Sequence, residues 1–306
     1  MQPLLAALVA AGAASYPFLE ARWYRLNRLT LPTERDVGRL SVLHISDTHL
    51  TAERARLIRF LRSLPGRLDR LGFDPPDIVV STGDLIEDDS GIEPITEALN
   101  AIDARYGRFY VFGSHDYYQA RFQRTSYTKY FTGRKSAPPA RHANTDLLEA
   151  KLQAAGWVSL SNRTEVVSTP EGDIRVAGVD DPYLQRDTDS HIARSPGERF
   201  AIGLTHTPDS ISRWMLAGFD LVLAGHTHAG QVRVPGFGAL VTNSELPAAL
   251  AGGLHRIGAG WLHVSPGLGT SKFAPIRFNC RPEVTLLQIE GQLQIEGQLQ
   301  IEDRGA

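Results

Sequence analysis

Five short apolar runs in this chain end in the same way, and that repeated ending is the strongest constraint on its fold. "LHIS" runs into Asp47-Thr48-His49, "VVST" into Gly83-Asp84, and "YVFG" into Ser114-His115-Asp116; "IGLT" then runs into His206, and "LVLA" into Gly225-His226-Thr227-His228. Short runs rich in Val, Ile, Leu and Phe, bounded by glycine and small polar residues, predict buried strands. In open α/β sheets the carboxyl ends of the strands are where ligands bind. Three aspartates and five histidines at these tips therefore predict one convergent site. Oxygen and imidazole donors suit Mn, Fe, Zn or Co, and without a thiolate among them an iron–sulfur cluster has no ligands.

No single tip carries the argument. Asp-x-His alone is commonly a turn or a cap, and Gly-Asp after a strand is usually a turn. A lone His206 would be an ordinary core or surface histidine. "GHTH" is sharper, because two histidines two apart on an extended face can hold two adjacent ions. The order of all five is what points to a metal centre. His44, His142, His191, His255 and His263 lack such a setting and are taken as ordinary core or surface residues.

The pattern around the tips sets the fold class. Strands are expected at Leu40 to Ser46, Asp77 to Thr82 and Arg108 to Gly113, with helical segments around Glu53 to Leu71 and Glu93 to Tyr106 between them. Thr145 opens a helix ending at Gly156, and further strands are expected at Ile174 to Asp180, Phe200 to His206, Phe219 to Gly225 and Trp261 to Ser265. Thr207 and Pro208 cap and open a helix between two of these. Strand–helix–strand alternation that turns strand-rich implies an α/β fold of two packed mixed sheets flanked by helices.

Composition sets the outer bounds. The 306 residues, 42% hydrophobic and 22% charged, predict a globular body spanning 38–290. Cys280 is the single cysteine, so no internal disulfide is possible, which fits a reducing compartment. A net charge of −2 gives no global reason to expect nucleic acid as a partner. Residues 1–30 differ: an apolar run from Leu4 to Ala14 precedes Tyr16, Phe18, Trp23 and Tyr24 among Arg22, Arg25 and Arg28. No positive charge precedes the run, as a secretory signal requires, and the run is shorter than the ~20 residues of a full span. Aromatics and arginines after it resemble an interfacial belt. A membrane anchor or membrane-lying helix is expected, with the body facing the cytoplasm; a cleaved signal and an ordinary helix packed on the domain are the alternatives. Val284 to Glu290 reads as a final strand, and 291–306, which repeats LQIEGQ, as a low-complexity tail.

Taken in order, "DTH", "GD", "GSHD", "TH" and "GHTH" resemble the calcineurin-like metallophosphoesterases, from about Leu40 to Gly269. "SDTHL", "AGHTHAGQ" and the apolar leader are similar to the bacterial membrane-associated branch of that family. The resemblance implies an αββα sandwich with a two-metal centre, manganese placed first among the candidate ions. It implies that Asp47, His49 and His228 hold one metal, that Asp84 bridges with Asp47, and that His206 and His226 hold the second. His115 would face the leaving group as the catalytic proton donor. The implied reaction is hydrolysis of a phosphodiester or pyrophosphate by attack of a metal-bridging hydroxide, with two ions about 3.5–4 Å apart clamping the phosphate.

The family pattern has asparagine where this chain has Ser114, and its carbonyl ligates the second metal. A serine hydroxyl is a shorter and poorer donor, so a weakened second site is expected. After "GSHD", Tyr117 to His142 holds six basic residues among aromatics and no acid, with Arg121 and Arg124 as candidate substrate contacts. Such a segment suits an anionic substrate, and the leader makes a membrane-linked phosphate ester the first expectation. Interleaved aromatic and basic residues also suit a nucleotide, so a nuclease or cyclic-nucleotide phosphodiesterase is the first alternative. A non-catalytic, membrane-tethered metal- or phosphate-binding protein is the second.

Overall fold

The computed structural model describes residues 14–73, 75–119, 141–270 and 272–291. Arg121, Arg124, the first part of the leader and the repeat tail lie outside them. Two six-stranded sheets pack face to face. The first has the order β1 (Arg25–Thr33), β14 (Glu283–Gly291), β2 (Arg39–Ile45), β3 (Ile78–Ser81), β4 (Gly107–Tyr110) and β5 (Val158–Ser159). The second has the order β12 (Gly253–Ile257), β13 (Gly260–Val264), β9 (Leu221–Ala224), β8 (Phe200–Leu204), β7 (Gly172–Gly178) and β6 (Arg163–Thr169). β10 (Arg233–Val234) and β11 (Gly238–Ala239) form a small separate hairpin.

Both sheets are mixed. β2 through β5 run parallel, as do β7, β8, β9 and β13, whereas β14 is antiparallel to β2, β6 to β7 and β12 to β13. Parallel pairs need crossovers, which several of the helices supply. α1 is a short helix at 14–20. α2 (Ala55–Arg62), α3 (Leu64–Asp69), α4 (Ile92–Asn100) and α6 (Thr145–Ala154) border the first sheet, and α7 (Ile211–Leu216) covers the second. α5 (Ser114–Tyr117) is a single turn at the exit of β4.

The strand period of two divides the core into three layers. On β2, Leu43 and Ile45 meet the helical layer of Leu57, Leu61, Ile95 and Leu99, while Leu40 and Val42 face the other sheet. Between the sheets Val80, Val111, Val176, Ile202 and Leu223 interdigitate. Trp214 and Phe219 pack against Val222 and Leu262 on the far side. The layers are helix, sheet, sheet, helix, as the sequence pattern and the resemblance lead one to expect.

Some local expectations need correction. The helical segment Glu53 to Leu71 is two helices, α2 and α3, broken at Ser63 just before Pro65, which lacks the N–H a continuous helix needs. Arg25–Thr33, partly assigned to the leader, is instead the edge strand β1. It pairs in parallel with β14 along nine residues, and Arg25 and Asn27 both hydrogen-bond Glu283. Strands β5, β6, β10, β11 and β12 lie outside the runs that predict strands.

Candidate metal centre

The five-tip convergence is real, and the backbone at it is strained. Asp47, His49, Asp84, His226 and His228 all adopt positive φ, between 42° and 68°. Each such residue costs of order 1–3 kcal/mol and persists only where its surroundings over-determine it. Here the exits of β2 and β3 are sewn together: Asp47 N donates to Gly83 O at 3.0 Å, His49 N to Asp84 O at 2.9 Å and Leu50 N to Leu85 O at 3.0 Å. Asp116, the last residue of "GSHD", fastens the β4 exit to them. Its Oδ1 accepts from Leu85 N at 2.8 Å, and its Oδ2 accepts from Gly113 N at 2.9 Å. Burial, with the charge of Asp84 added, pushes the Asp116 carboxyl up to about 7.

The strain turns the side chains inward onto one another. Among the described residues, three overlapping groups bring ligand atoms within 4.8 Å: Asp47 with His49 and His228, Asp47 with Asp84 and His206, and His49 with Asp84 and His115. Asp84 Oδ2 lies 3.5 Å from His49 Nε2 and 3.4 Å from His206 Nε2, and Asp47 Oδ1 lies 3.7 Å from His228 Nε2. Two nitrogen pairs face each other at 3.2 Å, His49 Nε2 with His228 Nε2 and His206 Nε2 with His226 Nδ1. His226 thus borders the second group, and its backbone N–H donates to the Asp47 carboxylate.

This donor set fits divalent cations. Two ring nitrogens in contact can share one proton at most, and the buried carboxylates of Asp47 and Asp84 need positive charge. The outer nitrogens select the inner ones as well. His49 Nδ1 reaches Glu87 Oε2 at 2.8 Å, His206 Nδ1 reaches Thr82 O at 2.8 Å, and His226 Nε2 reaches Asn243 O at 3.2 Å. A neutral ring that donates outward leaves its inner nitrogen bare for a cation. His228 is the exception: its Nδ1 faces Nη2 of the buried Arg277 at 3.2 Å, and a guanidinium can only donate. The neutral tautomer that accepts there carries its proton on Nε2. For Nε2 to hold a cation, the proton of this tautomer would move to Nδ1, with Arg277 Nη2 keeping its bonds to the carbonyls of Pro266 and Gly269.

The electrostatics follow from the same contacts. Burial opposes charge on His206, but the carboxylates of Asp84, Asp47 and Asp181 outweigh it and hold the imidazole well above its usual pKa. Burial likewise opposes charge on His49, and Glu87 overcomes it. Glu87 is itself held down at about 2, against burial, by its hydrogen bond and charge pairing with His49. Imidazolium must therefore give up its proton to a metal, so affinity should rise with pH through the neutral range. The expected slope is about tenfold per pH unit for each proton displaced. Calorimetric Mn²⁺ titration in buffers of different ionisation enthalpy counts those protons; a pH-independent affinity would contradict these contacts.

Ser114 is half-buried at the start of α5, beside His115, whose backbone N–H donates to Asp84 Oδ1 at 2.8 Å. The His115 ring stands edge-on to His49, centroids 4.6 Å apart. Three participants escaped the sequence reading. Glu87 follows Asp84 by three residues in "GDLIE", a spacing that could have drawn notice. Arg277, besides His228, reaches the carbonyls of Pro266 and Gly269 at 2.7 Å, and nothing local marks it. Tyr183 lays its ring against His226, centroids 5.4 Å apart.

Comparison with known proteins agrees with this geometry. Residues 40–230 match the family model described as calcineurin-like phosphoesterase. The chain is 30% identical over 258 residues to the uncharacterized metallophosphoesterase YkoQ of Bacillus subtilis, covering 82% of this chain and 84% of that one. It is 26% identical over 277 residues to the phosphodiesterase YaeI of Escherichia coli, covering 89% and 90% respectively. The matched span takes in the tips of β2, β3, β4, β8 and β9, where the donors converge. The chain belongs to the calcineurin-like phosphoesterase family, hydrolases of phosphoric ester bonds that depend on a dinuclear metal centre.

Proposed function

We propose that this chain hydrolyses a phosphodiester or pyrophosphate bond in a substrate presented at a membrane surface, using Mn²⁺ or a similar ion. In this reading Asp47, His49 and His228 hold one cation and His206 and His226 the other. Asp47 and Asp84 serve both, and Ser114 borders the second site directly or through water. The observation that carries it is the pair of 3.2 Å nitrogen contacts flanking two buried carboxylates, a donor set suited to divalent cations. Bound divalent ions supply positive charge to the phosphoryl oxygens and activate water. The protein contributes the strained tips that aim the ligands, and His115. The Nδ1 of His115 is buried without a hydrogen-bond partner, 3.5 Å from Glu87 Oε2. Burial holds the His115 pKa below the usual histidine value, so at neutral pH the ring offers a neutral N–H to the leaving oxygen rather than a full charge.

Two features support the substrate class. Tyr117, two residues after His115, opens onto a cleft of about 440 Å³ where Arg186 stacks on its ring at 4.1 Å and pairs with Asp180. None of the proposed metal ligands lines that polar cleft; in this reading it would take the remainder of a phosphate ester. At the other end of the chain Phe18, Leu19 and Trp23 are 48%, 62% and 56% exposed, next to Arg22. No helix among the described residues is long and apolar enough to cross a membrane. In this reading the exposed aromatics meet the cytoplasmic face of a bilayer.

The test is turnover of bis(p-nitrophenyl) phosphate before and after chelation, with Mn²⁺, Fe²⁺, Zn²⁺ or Co²⁺ restored. Loss on chelation and recovery on re-addition is the expected result. No turnover with any ion would leave a non-catalytic binder. A second arm compares a phosphodiester lipid in anionic vesicles with soluble cyclic nucleotides. Faster turnover of the nucleotides, indifferent to vesicles, would replace the membrane substrate with a soluble one.

A further inference from the structure

The two histidines read as ordinary core residues, His44 and His263, occupy a place in the fold where apolar side chains are the norm. They project from β2 and β13, on opposite sheets, into the layer between them, and both are fully buried. Their Nδ1 atoms meet at 2.8 Å. From there a single hydrogen-bonded chain leads to the metal centre. His44 Nε2 lies 2.9 Å from Thr82 Oγ1, Thr82 Oγ1 lies 2.7 Å from Ser46 Oγ, and Ser46 Oγ donates to Asp47 Oδ2 at 2.5 Å. Thr82 and Ser46 are fully buried too, and neither hydroxyl has solvent to turn to.

The donor inventory permits one direction only. An ionised Asp47 accepts and never donates, so the Ser46 proton goes to it. Ser46 must then accept from Thr82, and Thr82 in turn from His44, which therefore carries its proton on Nε2. Burial, with the neighbouring His263, holds His44 well below its usual pKa, and burial holds His263 at about 3, so both rings are neutral. A neutral His44 protonated on Nε2 has a bare Nδ1, and His263 must supply the proton on its own Nδ1. That leaves His263 Nε2 bare, at the far end of this hydrogen-bonded series and without a partner. An orphaned acceptor is easier to tolerate than an orphaned donor. Every proton in the chain thus points toward Asp47.

We propose that His263, His44 and Thr82 are positioning residues for the metal centre: acting through Ser46, they deliver an unbroken, one-way chain of hydrogen bonds that pins Asp47 Oδ2. Oδ1 is thereby kept on the His228 side, toward the first cation site. The inference rests on Asp47 being a metal ligand, as proposed above. A lone Ser46 hydroxyl could rotate among acceptors; one that must also accept from Thr82 cannot. The partners of a ligating side chain's hydrogen bonds typically contribute about 10–100-fold in metal affinity.

The test uses the full chain and Mn²⁺ as the probe, with affinity read by competition against a chromophoric chelator and folding followed by thermal melting. Thr82→Val removes the central hydroxyl at nearly constant volume, and His44→Phe removes the ring nitrogens. Each should weaken the tighter Mn²⁺ site by about 10–100-fold while the chain still melts cooperatively. His44→Gln, which can still present an N–H to Thr82, should recover most of the loss. A merely structural histidine pair would not distinguish glutamine from phenylalanine in metal affinity. Long-range ¹H–¹⁵N spectra should show His44 as the Nε2–H tautomer and His263 as the Nδ1–H tautomer. The reverse tautomers, or Thr82→Val with unchanged Mn²⁺ affinity, would overturn the inference. An unaltered chain that binds no Mn²⁺ at all would instead overturn the metal-centre reading and take this inference with it.

Discussion

Asp84→Asn is expected to leave a folded chain that retains at most one equivalent of metal and has lost turnover by about 10³-fold or more, the scale of the charge stabilisation bound cations supply. The side chain sits between the two groups of donors. Its Oδ2 is 3.5 Å from His49 Nε2 and 3.4 Å from His206 Nε2, and its Oδ1 accepts the His115 N–H at 2.8 Å. Asparagine keeps the acceptor for His115, so α5 stays in place. It loses the charge and puts an amide beside a ring nitrogen. Although burial opposes ionisation, His206 and His115 hold the Asp84 carboxyl well below its usual pKa, so the wild-type group is an anion at any working pH. The same loss should lower the His206 pKa, because Asp84 is the first of the carboxylates that raise it. Metal content by plasma mass spectrometry, turnover of bis(p-nitrophenyl) phosphate and the His206 titration measure the three effects. A variant with two bound ions and turnover within about tenfold of wild type would remove Asp84 from the centre.

Gly113→Ala should be nearly as damaging, through space alone. Gly113 has φ −113°, a conformation any residue adopts, so alanine meets no backbone penalty. Its Cβ, however, would overlap Asp84 Oδ1 and stand 2.6 Å from His206 Cε1 and 2.7 Å from His206 Nδ1. His206 would have to release Thr82 O, and Asp84 the His115 N–H. Overpacking of this kind costs about 1–3 kcal/mol. A catalytic group displaced by about 1 Å costs about 10²-fold in rate. Gly66→Ala is the matching control, since Gly66 lies in α3 with only the end of the Arg70 side chain near the added Cβ. Melting temperature and turnover of the two variants should diverge, with Gly66→Ala unchanged or slightly stabilised. Equal behaviour would show that the site tolerates a methyl group where the distances forbid one.

The tips of β2, β3, β4, β8 and β9 could be read from the chain because their information is local. An apolar run fixes a buried strand, and the polar residue that ends it can point only out of the sheet's end. The edge strand β1 could not be read that way. Its arginines and leucines fit an interfacial belt as well as a strand, and its partner β14 lies some 250 residues further on. The hairpin of β6 and β7 carries a local mark, Pro170 and Gly172 at its turn, but of its two strands only β7 has an apolar run that predicts it. Asp116 shows the opposite failing. It stands in the motif among the donors, yet both of its oxygens are engaged by backbone N–H groups, and it joins none of the candidate metal groups among the described residues.

The sequence by itself determined which side chains could ligate a metal and that they meet at one end of two sheets. Only the tertiary structure decided which nitrogen of each ring faces inward. That choice depends on what holds the other nitrogen: Glu87, the Thr82 carbonyl, the Asn243 carbonyl and Arg277. The structure alone also turned His44 and His263 from core residues into one end of a chain that reaches Asp47. A ring nitrogen's role is set by its hydrogen-bond partner, and here nearly every partner comes from a distant part of the chain.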